Sequence, residues 1–242
     1  MKVFEKKLPN APAGFFAAEA RGLQWLTVPG GPPTPTVIGW NDCRLVTAWI
    51  ESAAPTRAAA RSFGEALARL HTTGAPSYGA DVDGFIGPLP LPNTRADDWP
   101  TFYAQCRLSP YADALNHAQR RLIERVCERL PELSGPLEPP ARIHGDLWSG
   151  NLIWAADGQV WLVDAGAAHG GHRETDLAML ALFGAPHLDA IRDGYEEVTP
   201  LAPGWKQRIG LHQLHPLLVH ATLFGGSYGE RAAAIAQRLL AR

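Results

Sequence analysis

A short hairpin with polar residues at its base constrains this chain more than any other feature. The dipeptide Asp157-Gly158 lies between two short apolar runs, and such a dipeptide is typical of a two-residue β-hairpin turn. With that turn, Ala156 pairs with Gln159, and Asn151 lies directly opposite Asp164. Opposed residues in an antiparallel pair have Cβ atoms about 5 Å apart. The sequence therefore predicts that an amide and a carboxylate meet at the base of the hairpin.

A second carboxylate lies on the loop that leads into this hairpin. Asp146 precedes Asn151 by five residues, so its side chain can reach the same cleft without being fixed in the sheet. Asn151 and Asp164 offer hard oxygen ligands of the kind that Mg²⁺ binds together with water and substrate phosphates. We predict that these two residues bind Mg²⁺ and that Asp146 is the base for an attacking hydroxyl. The alternative is that Asp146 and Asn151 each cap a local turn and that Asp164 ends a strand. The spacing of the three residues would then be a coincidence.

Two longer stretches carry a family resemblance. They are His144-Gly-Asp-Leu-Trp-Ser-Gly-Asn151, in which Trp148 is the sharpest marker, and Gly171-His-Arg-Glu-Thr-Asp-Leu-Ala-Met179. Both resemble the fructosamine kinase (ketosamine 3-kinase) family, a branch of the aminoglycoside phosphotransferase group, and the similarity covers nearly the whole chain. The resemblance implies an α+β, protein-kinase-like fold with two lobes. We expect a small, truncated N-terminal β/α lobe at residues 1–51 and a larger, mainly helical C-terminal lobe at residues 52–242.

The first two predicted elements indicate an ion pair. Val3 to Leu8 is predicted as a strand that turns Lys6 towards apolar neighbours. Gly14 to Leu26 is predicted as a helix with Glu19 on its apolar stripe, and a carboxylate there needs a partner because burying an unpaired charge is costly. The resemblance implies that Lys6 and Glu19 pair to position the inner phosphates of ATP. Lys7 would take this role in place of Lys6 if the strand register shifted by one. The alternative to an ion pair is that these lysines lie on the solvated edge of a terminal strand.

The remaining strands of the predicted small lobe lead to a hinge. Thr36 to Gly39 and Arg44 to Ile50 are predicted as strands joined by a turn at Trp40 to Cys43. The resemblance implies an interlobe hinge whose main-chain groups read the adenine edge, formed by Ala48, Trp49 and Ile50. An ordinary strand end would explain these residues nearly as well.

Two features depart from the family's pattern. The family places two strands and a glycine-rich turn before the lysine strand, whereas here Lys6 is the sixth residue. Either the natural start lies upstream, or the small lobe is reduced, or activity has been lost. In addition, Ala165 and Gly166 follow Asp164 where the family usually has Asp-Pro-Ala. We expect a less firmly held loop there, because proline restricts the backbone.

Further roles in the C-terminal region follow from the resemblance alone. Asp176, together with His144, is expected to hold the catalytic loop. The side chains expected to border the acceptor are Trp148, His172, Glu174 and Trp205. The alternatives are core packing for Trp148 and a surface turn for His172 and Glu174. No cysteine or carboxylate joins the histidines at zinc-site spacing, so core or helix-surface positions are expected for His169, His172, His212, His215 and His220.

Composition limits the class of protein. The chain has 242 residues, a formal net charge of −2 and 46% hydrophobic residues, which is enough for a core and gives no sign of nucleic-acid binding or disorder. No apolar run approaches the ~20 residues of a membrane helix, and the start has no signal-peptide pattern. Cys43, Cys106 and Cys127 fit no zinc pattern and are expected as reduced thiols. We expect a cytoplasmic monomer or weak dimer without nucleic-acid or membrane partners.

The functional prediction combines these elements. ATP and Mg²⁺ are the expected cofactors. The resemblance implies phosphorylation of the 3-hydroxyl of a ketosamine such as fructosamine or ribulosamine, on a small molecule or a protein-bound glycated amine, and this reaction would begin deglycation. The alternatives are a kinase for another small alcohol, such as an aminoglycoside, a choline-like compound or a sugar, and a truncated, inactive pseudokinase.

Overall fold

The computed structural model describes residues 2–242 and begins with a small antiparallel sheet. Its strands, in the spatial order β1-β3-β2, are β1 (Val3–Lys7), β2 (Val37–Asn41) and β3 (Arg44–Ala48). Helix α1 (Phe15–Leu26) connects β1 to β2. The turn between β2 and β3 is tighter than predicted, since Asn41 pairs with Arg44. The Asn41 side chain accepts a hydrogen bond from the Cys43 amide at 3.0 Å and stabilises this two-residue turn.

The rest of the chain is mainly helical. Its helices are α2 (Arg57–Thr72), α3 (Trp99–Tyr103), α4 (His117–Glu128), α5 (Leu130–Leu133), α6 (Glu174–Phe183), α7 (Leu188–Val198), α8 (Trp205–Phe224) and α9 (Tyr228–Leu240). Three two-stranded sheets join β4 (Gly84–Ile86) to β5 (Leu89–Leu91), β6 (Ala141–Ile143) to β9 (His169–Gly171), and β7 (Leu152–Trp154) to β8 (Val160–Leu162). Within residues 2–242, none of the helices combines the length and apolar character needed to cross a membrane.

Side-chain caps explain where two of these helices begin. Thr56 Oγ1 accepts a hydrogen bond from the Ala59 amide at 3.1 Å at the start of α2. Asn116 and Gln119 exchange hydrogen bonds at the start of α4, where each side chain accepts from the other residue's amide. Such caps satisfy amides that have no partner inside the first helical turn.

The apolar interior consists of two clusters of buried side chains. One cluster joins α3, α4, α8 and α9. The other joins α1 and β3 to α2, α7 and the β7–β8 hairpin, through side chains that include Phe16, Leu45, Phe63, Leu162 and Tyr195. The small sheet and the hairpin therefore share one core, which brings the first and the middle segments of the chain together.

The hairpin register differs from the prediction by one residue. Leu152 pairs with Leu162, and the turn contains three residues instead of two. The reason is that, among the turn residues, Gly158 alone adopts a positive φ, 80°. A two-residue turn of the predicted type would need a positive φ at both central residues, whereas one positive φ suits a three-residue loop with a bulge. As a consequence, the Val163 amide donates to the Asn151 carbonyl at 3.1 Å, and Asp164 lies one residue beyond the predicted pairing.

The segment between β3 and α2 is bonded to this hairpin. The Ala53 amide donates to the Trp154 carbonyl at 2.7 Å, and the Ala156 amide donates to the Glu51 carbonyl at 2.9 Å. These bonds place the end of the predicted hinge beside the strands that lead to Asp164. The small sheet is thereby anchored next to the base of the hairpin.

Helices α2 and α7 cross at a pair of glycines. A Cβ atom added to Gly64 would collide with the Ile191 carbonyl oxygen, and one added to Gly194 would collide with the Arg61 carbonyl oxygen. The two helices are therefore in backbone contact, which only glycine at these positions permits.

The Gly64→Ala variant is expected to be less stable than the wild-type protein. Overpacking a close contact costs about 1–3 kcal/mol, and the better helix propensity of alanine returns at most about 1 kcal/mol. Urea unfolding would measure the difference in the free energy of unfolding. Gly39→Ala in β2 is the matched control, because nothing lies within 4 Å of its added Cβ. Equal stability of the two variants would contradict the backbone contact between α2 and α7.

Candidate active site

Asp176 holds the loop that carries Asp146. Its Oδ2 accepts a hydrogen bond from the His144 amide at 2.8 Å, and its Oδ1 accepts one from the Gly145 amide at 2.9 Å. His71 Nε2 lies 3.3 Å from Oδ2. Burial opposes ionisation of Asp176, but the contacts with His71 and His144 keep the pKa of this carboxyl below its usual range. Asp176 therefore remains a carboxylate and orients the loop backbone.

The same loop is tied to the strand that precedes Asp164. His144 Nε2 lies 2.9 Å from the carbonyl oxygen of Val163 and donates to it when that nitrogen carries the proton. The loop and the residue before Asp164 are therefore fixed relative to each other. This contact and the bonds to Asp176 are those of a supporting pair, the role expected for His144 and Asp176.

Asn151 fixes the Asp146 side chain. Its Nδ2 donates to the Asp146 carbonyl oxygen at 2.8 Å and to Asp146 Oδ2 at 3.2 Å. In the part of the chain that the structure describes, the side-chain hydrogen bonds of Asn151 are made by this nitrogen. The amide oxygen is therefore the atom that Asn151 can offer to a metal.

Lys6 joins two carboxylates from distant segments. Its Nζ donates to Glu19 Oε2 at 2.8 Å and to Asp164 Oδ1 at 2.9 Å. Burial lowers the pKa of Lys6, but the charges of Asp164 and Glu19 outweigh it and raise the pKa. The structure thus brings the predicted pair of Lys6 and Glu19 together, and the lysine, not its neighbour Lys7, faces the site.

The segment after Asp164 is enclosed on two sides. A Cβ added to Gly22 of α1 would collide with the Ala165 carbonyl oxygen, and the Phe85 amide donates to the Gly166 carbonyl at 3.0 Å. Asp164 itself has a positive φ of 58°, which is strained for a residue with a side chain. These contacts hold the loop that was expected to be loose without the family's proline, and they direct Asp164 back towards Lys6.

The pKa of Asp146 is raised to about 7. Burial of the carboxyl is the largest cause, and the nearby charge of Asp164 is the next, while the hydrogen bond from Asn151 opposes both. A general base works best when its pKa lies near the operating pH. Asp146 therefore combines a fixed position with a pKa suited to accepting a proton near neutral pH.

We expect kcat/KM to rise with pH as Asp146 loses its proton. The pKa of about 7 is that of metal-free protein, and bound Mg²⁺ would lower it because its charge favours the carboxylate. A carboxyl accepts a proton only when ionised, so below this pKa the rate should fall about tenfold per pH unit. In metal-free protein, stability should change in the opposite direction. The folded-state pKa lies above the usual value of about 4, so protonation of Asp146 stabilises the fold at acid pH, and this contribution is lost as pH rises towards 7. Rates and thermal unfolding between pH 5 and 9, at about unit intervals, would check both; a flat rate profile would contradict this role.

Two cavities meet at these carboxylates. The first, of about 290 Å³, is lined by Glu19, Asp146, Asn151 and Asp164 together with apolar and aromatic side chains, including Trp148. The second, of about 280 Å³, lies against β3 and is lined by Glu19 and Asp164 together with Phe4, Ala48, Trp49 and Ile50. Glu19 and Asp164 thus stand between a compartment beside the predicted hinge and a compartment beside Asp146.

Three residues expected to border the acceptor lie elsewhere. His172, Glu174 and Trp205 line neither of these cavities. Glu174 is buried with Arg208, whose Nε donates to it at 2.9 Å. Burial opposes ionisation, but hydrogen bonds with His212 and Arg208 lower the pKa of Glu174 to about 2. Glu174 therefore belongs to an internal ion pair.

The same cluster contains two of the histidines for which core positions were expected, and both are buried. His172, Glu174 and His212 bring three potential ligand atoms within 4.8 Å of one another, although their sequence spacing gave no such sign. Arg208 hydrogen-bonds both oxygens of the carboxylate. The charge of Glu174 is thereby already compensated by a cation, and the cluster is a buried polar network.

An aromatic wall of the first cavity was missed by the sequence analysis. It is formed by side chains from α1, β4, α6 and α8, namely Phe15, Phe85, Phe183, His220 and Phe224. The available signals were Phe183 in the stretch after Met179 and the helical spacing of His220 and Phe224. Neither identified a cavity, because the wall forms only when segments far apart in the chain pack together.

Comparison with known proteins decides the family. The profile of the fructosamine kinase family matches residues 1–242. The chain belongs to the fructosamine kinase family. A probable ketoamine kinase from Enterococcus faecium is 35% identical over 237 residues, which cover 94% of this chain and 84% of that protein. Membership of this family and the similarity to this relative identify the protein as a kinase.

Solved structures agree with this assignment. A putative fructosamine-3-kinase from Thermobifida fusca is 51% identical, with a TM-score of 0.93 over 99% of this chain and 86% of that chain. Choline kinase LicA from Streptococcus pneumoniae is 17% identical, with a TM-score of 0.64 over 99% of this chain and 85% of that chain. The latter similarity concerns the fold alone. This member of the fructosamine kinase family therefore has the predicted α+β, protein-kinase-like fold.

Proposed function

We propose that this kinase transfers the γ-phosphoryl group of ATP to the 3-hydroxyl of a ketosamine, such as fructosamine or ribulosamine. One observation carries the proposal: Asp146, fixed by Asn151, shares a cavity with the Glu19 and Asp164 carboxylates that bind Lys6. The names of the Enterococcus faecium and Thermobifida fusca relatives support a ketosamine acceptor. Phosphorylation would destabilise the sugar–amine adduct and begin deglycation.

The compartment beside β3 suits the nucleotide. Ala48, Trp49 and Ile50, which we propose as the interlobe hinge, line it. The Ala48 and Trp49 amides already donate to the Thr36 and Lys2 carbonyls, so other main-chain groups of the hinge would read the adenine edge. Lys6, held by Glu19, would bind the inner phosphates. Nucleotide use is supported by the similarity to LicA in complex with AMP, a likeness of fold at 18% identity and a TM-score of 0.63.

The donor set at the junction of the two cavities fits Mg²⁺. The Asp164 carboxylate and the Asn151 amide oxygen are hard ligands, which this ion prefers. The Lys6 ammonium binds two carboxylates, those of Glu19 and Asp164, and the Asp146 carboxyl lines the same cavity as these two, so the site attracts a further cation. When bound, Mg²⁺ would neutralise charge on the phosphates of ATP.

Asp146 would act on the acceptor hydroxyl. The hydroxyl oxygen forms a bond to the γ-phosphorus, the bond from that phosphorus to the bridging oxygen of ADP breaks, and the hydroxyl proton passes to the Asp146 carboxylate. Trp148, which is 40% exposed and lines the same cavity, offers a face on which the sugar can stack. Most of the acceleration would come from positioning and charge neutralisation.

Purified protein with Mg-ATP and fructosyl- and ribulosyl-amines would test the proposal. Formation of a 3-phosphate, followed by ³¹P nuclear magnetic resonance, is the expected result, and fructose, choline and an aminoglycoside serve as comparison acceptors. Transfer to one of these acceptors and none to a ketosamine would assign a different small alcohol. ATP binding without transfer to any acceptor would indicate a pseudokinase. A cytoplasmic location and a monomeric or weakly dimeric state remain predictions.

A further inference from the structure

The cavity that contains Asp146 has two chemically different kinds of lining. One consists of the carboxylates of Glu19, Asp146 and Asp164. The other includes three rings from α6 and α8, those of Phe183, His220 and Phe224, in which His220 contacts both phenylalanines. The Trp148 ring, on the loop that carries Asp146, contacts Phe183, so a substrate whose hydroxyl faces Asp146 has these rings beside it.

The charged side chains described in the cavity lining are acidic. Among residues 2–242, those that line it include three carboxylates and no lysine or arginine. The nearest ammonium, that of Lys6, already donates to Glu19 and Asp164. A substrate carboxylate placed here would meet like charges without a counter-ion, whereas a cation would meet favourable charges.

The rings on the α6 and α8 side of the aromatic wall contact one another. The His220 ring centroid lies 5.0 Å from that of Phe183, 5.4 Å from that of Phe224 and 5.0 Å from that of Tyr228. His220 Nδ1 lies 2.7 Å from the Pro216 carbonyl oxygen and donates to it. In a neutral ring, Nε2 then carries the lone pair. The wall therefore offers aromatic faces and one acceptor, all of which suit an ammonium group.

We propose that Phe183, His220 and Phe224 form an amine subsite, which selects ketosamines with a cationic amino nitrogen and an uncharged substituent. This inference rests on the proposed ketosamine kinase activity and narrows its substrate class. The amino nitrogen of a ketosamine is near the reacting 3-hydroxyl, so it would lie beside the carboxylates and within reach of the aromatic wall. Phe224, at the rim, is 67% exposed. An apolar substituent on the amino nitrogen of the substrate would pass this side chain on its way to solvent.

A pair of matched substrates tests the subsite. Fructosyl-propylamine and fructosyl-β-alanine have the same sugar and chain length, and they differ in a terminal methyl against a terminal carboxylate. The wild-type kinase is expected to prefer the propylamine adduct by about tenfold or more in kcat/KM, which corresponds to a modest difference in transition-state binding.

A charge added at the rim should change this preference. Phe224→Lys is expected to shift the ratio of the two kcat/KM values by about fivefold or more towards the β-alanine adduct, because it supplies the missing counter-ion. Leu137→Lys is the matched control, since Leu137 is 89% exposed and lies outside the cavity lining. It should leave the ratio unchanged. A merely structural role of Phe224 would not produce a gain for one substrate.

The outcomes separate this inference from the proposed function. Transfer to both adducts with a wild-type preference for the carboxylate, or with the same ratio in Phe224→Lys and Leu137→Lys, would overturn the amine subsite alone. Absence of transfer to every ketosamine would overturn the proposed function and the subsite together.

Discussion

The Asp146→Asn variant is expected to lose about 10²–10⁴-fold in kcat, the usual contribution of a general base. The amide has nearly the same shape as the carboxylic acid but cannot accept the hydroxyl proton. Asn151 Nδ2, which donates to the Asp146 carbonyl and carboxylate, can still bind the amide oxygen of the new side chain. Steady-state rates with Mg-ATP and a fructosylamine would measure the loss, and the pH dependence caused by Asp146 should vanish with it.

Stability provides the control for this variant. Burial raises the pKa of Asp146, which means that the ionised form is disfavoured in the folded protein. At about pH 8 the wild-type protein carries that charge and the variant does not, so the variant should be at least as stable, and the difference should shrink towards about pH 5. Thermal unfolding of metal-free protein would check this. An inactive variant that is also markedly unstable would not support a role for Asp146 in chemistry.

The Asp164→Asn variant is expected to lower kcat/KM by roughly 10²-fold, or about 3 kcal/mol, at fixed Mg²⁺. It removes the carboxylate that would hold the metal and that binds Lys6 at 2.9 Å. Higher Mg²⁺ concentrations should recover part of the rate. In metal-free protein the variant should also lower the pKa of Asp146, because the charge of Asp164 is the second cause of its raised value.

Asp157→Asn is the matched control for this prediction. Asp157 is exposed in the turn of the same hairpin, so it tests the same chemical change away from the cavity. It should leave both the Mg²⁺ requirement and the pKa of Asp146 as in the wild-type protein. An unchanged Mg²⁺ dependence in Asp164→Asn would show that this residue does not bind the metal.

The local parts of the site were predictable from the sequence. Asp146 and Asn151 are five residues apart, so their proximity follows from one loop and the start of one strand. The pairing of Lys6 with Glu19 followed from the period of a strand and of a helix, since each pattern turned a charged residue towards apolar neighbours. The hairpin itself was predicted, but its register was wrong, because Asp-Gly is compatible with both a two-residue and a three-residue loop.

Other parts depended on contacts that no local pattern contains. Glu174 lies in a stretch that resembles the family, yet its environment is set by Arg208, a residue of another helix. The aromatic wall likewise joins Phe183 of α6 to His220 and Phe224 of α8. Sequence spacing cannot reveal such neighbours, because side chains distant in the chain meet only when the helices pack.

The sequence by itself determined the kinds of chemical group in this site and the local order in which they occur. It placed two carboxylates and an amide around one hairpin, and it paired Lys6 with Glu19. Only the tertiary structure decided that Lys6 also binds Asp164, that the pKa of Asp146 rises to about 7, and that the cavity beside Asp146 carries no lysine or arginine among the residues described in its lining. The physical reason is that burial and charge–charge interactions depend on distances in space, which packing sets.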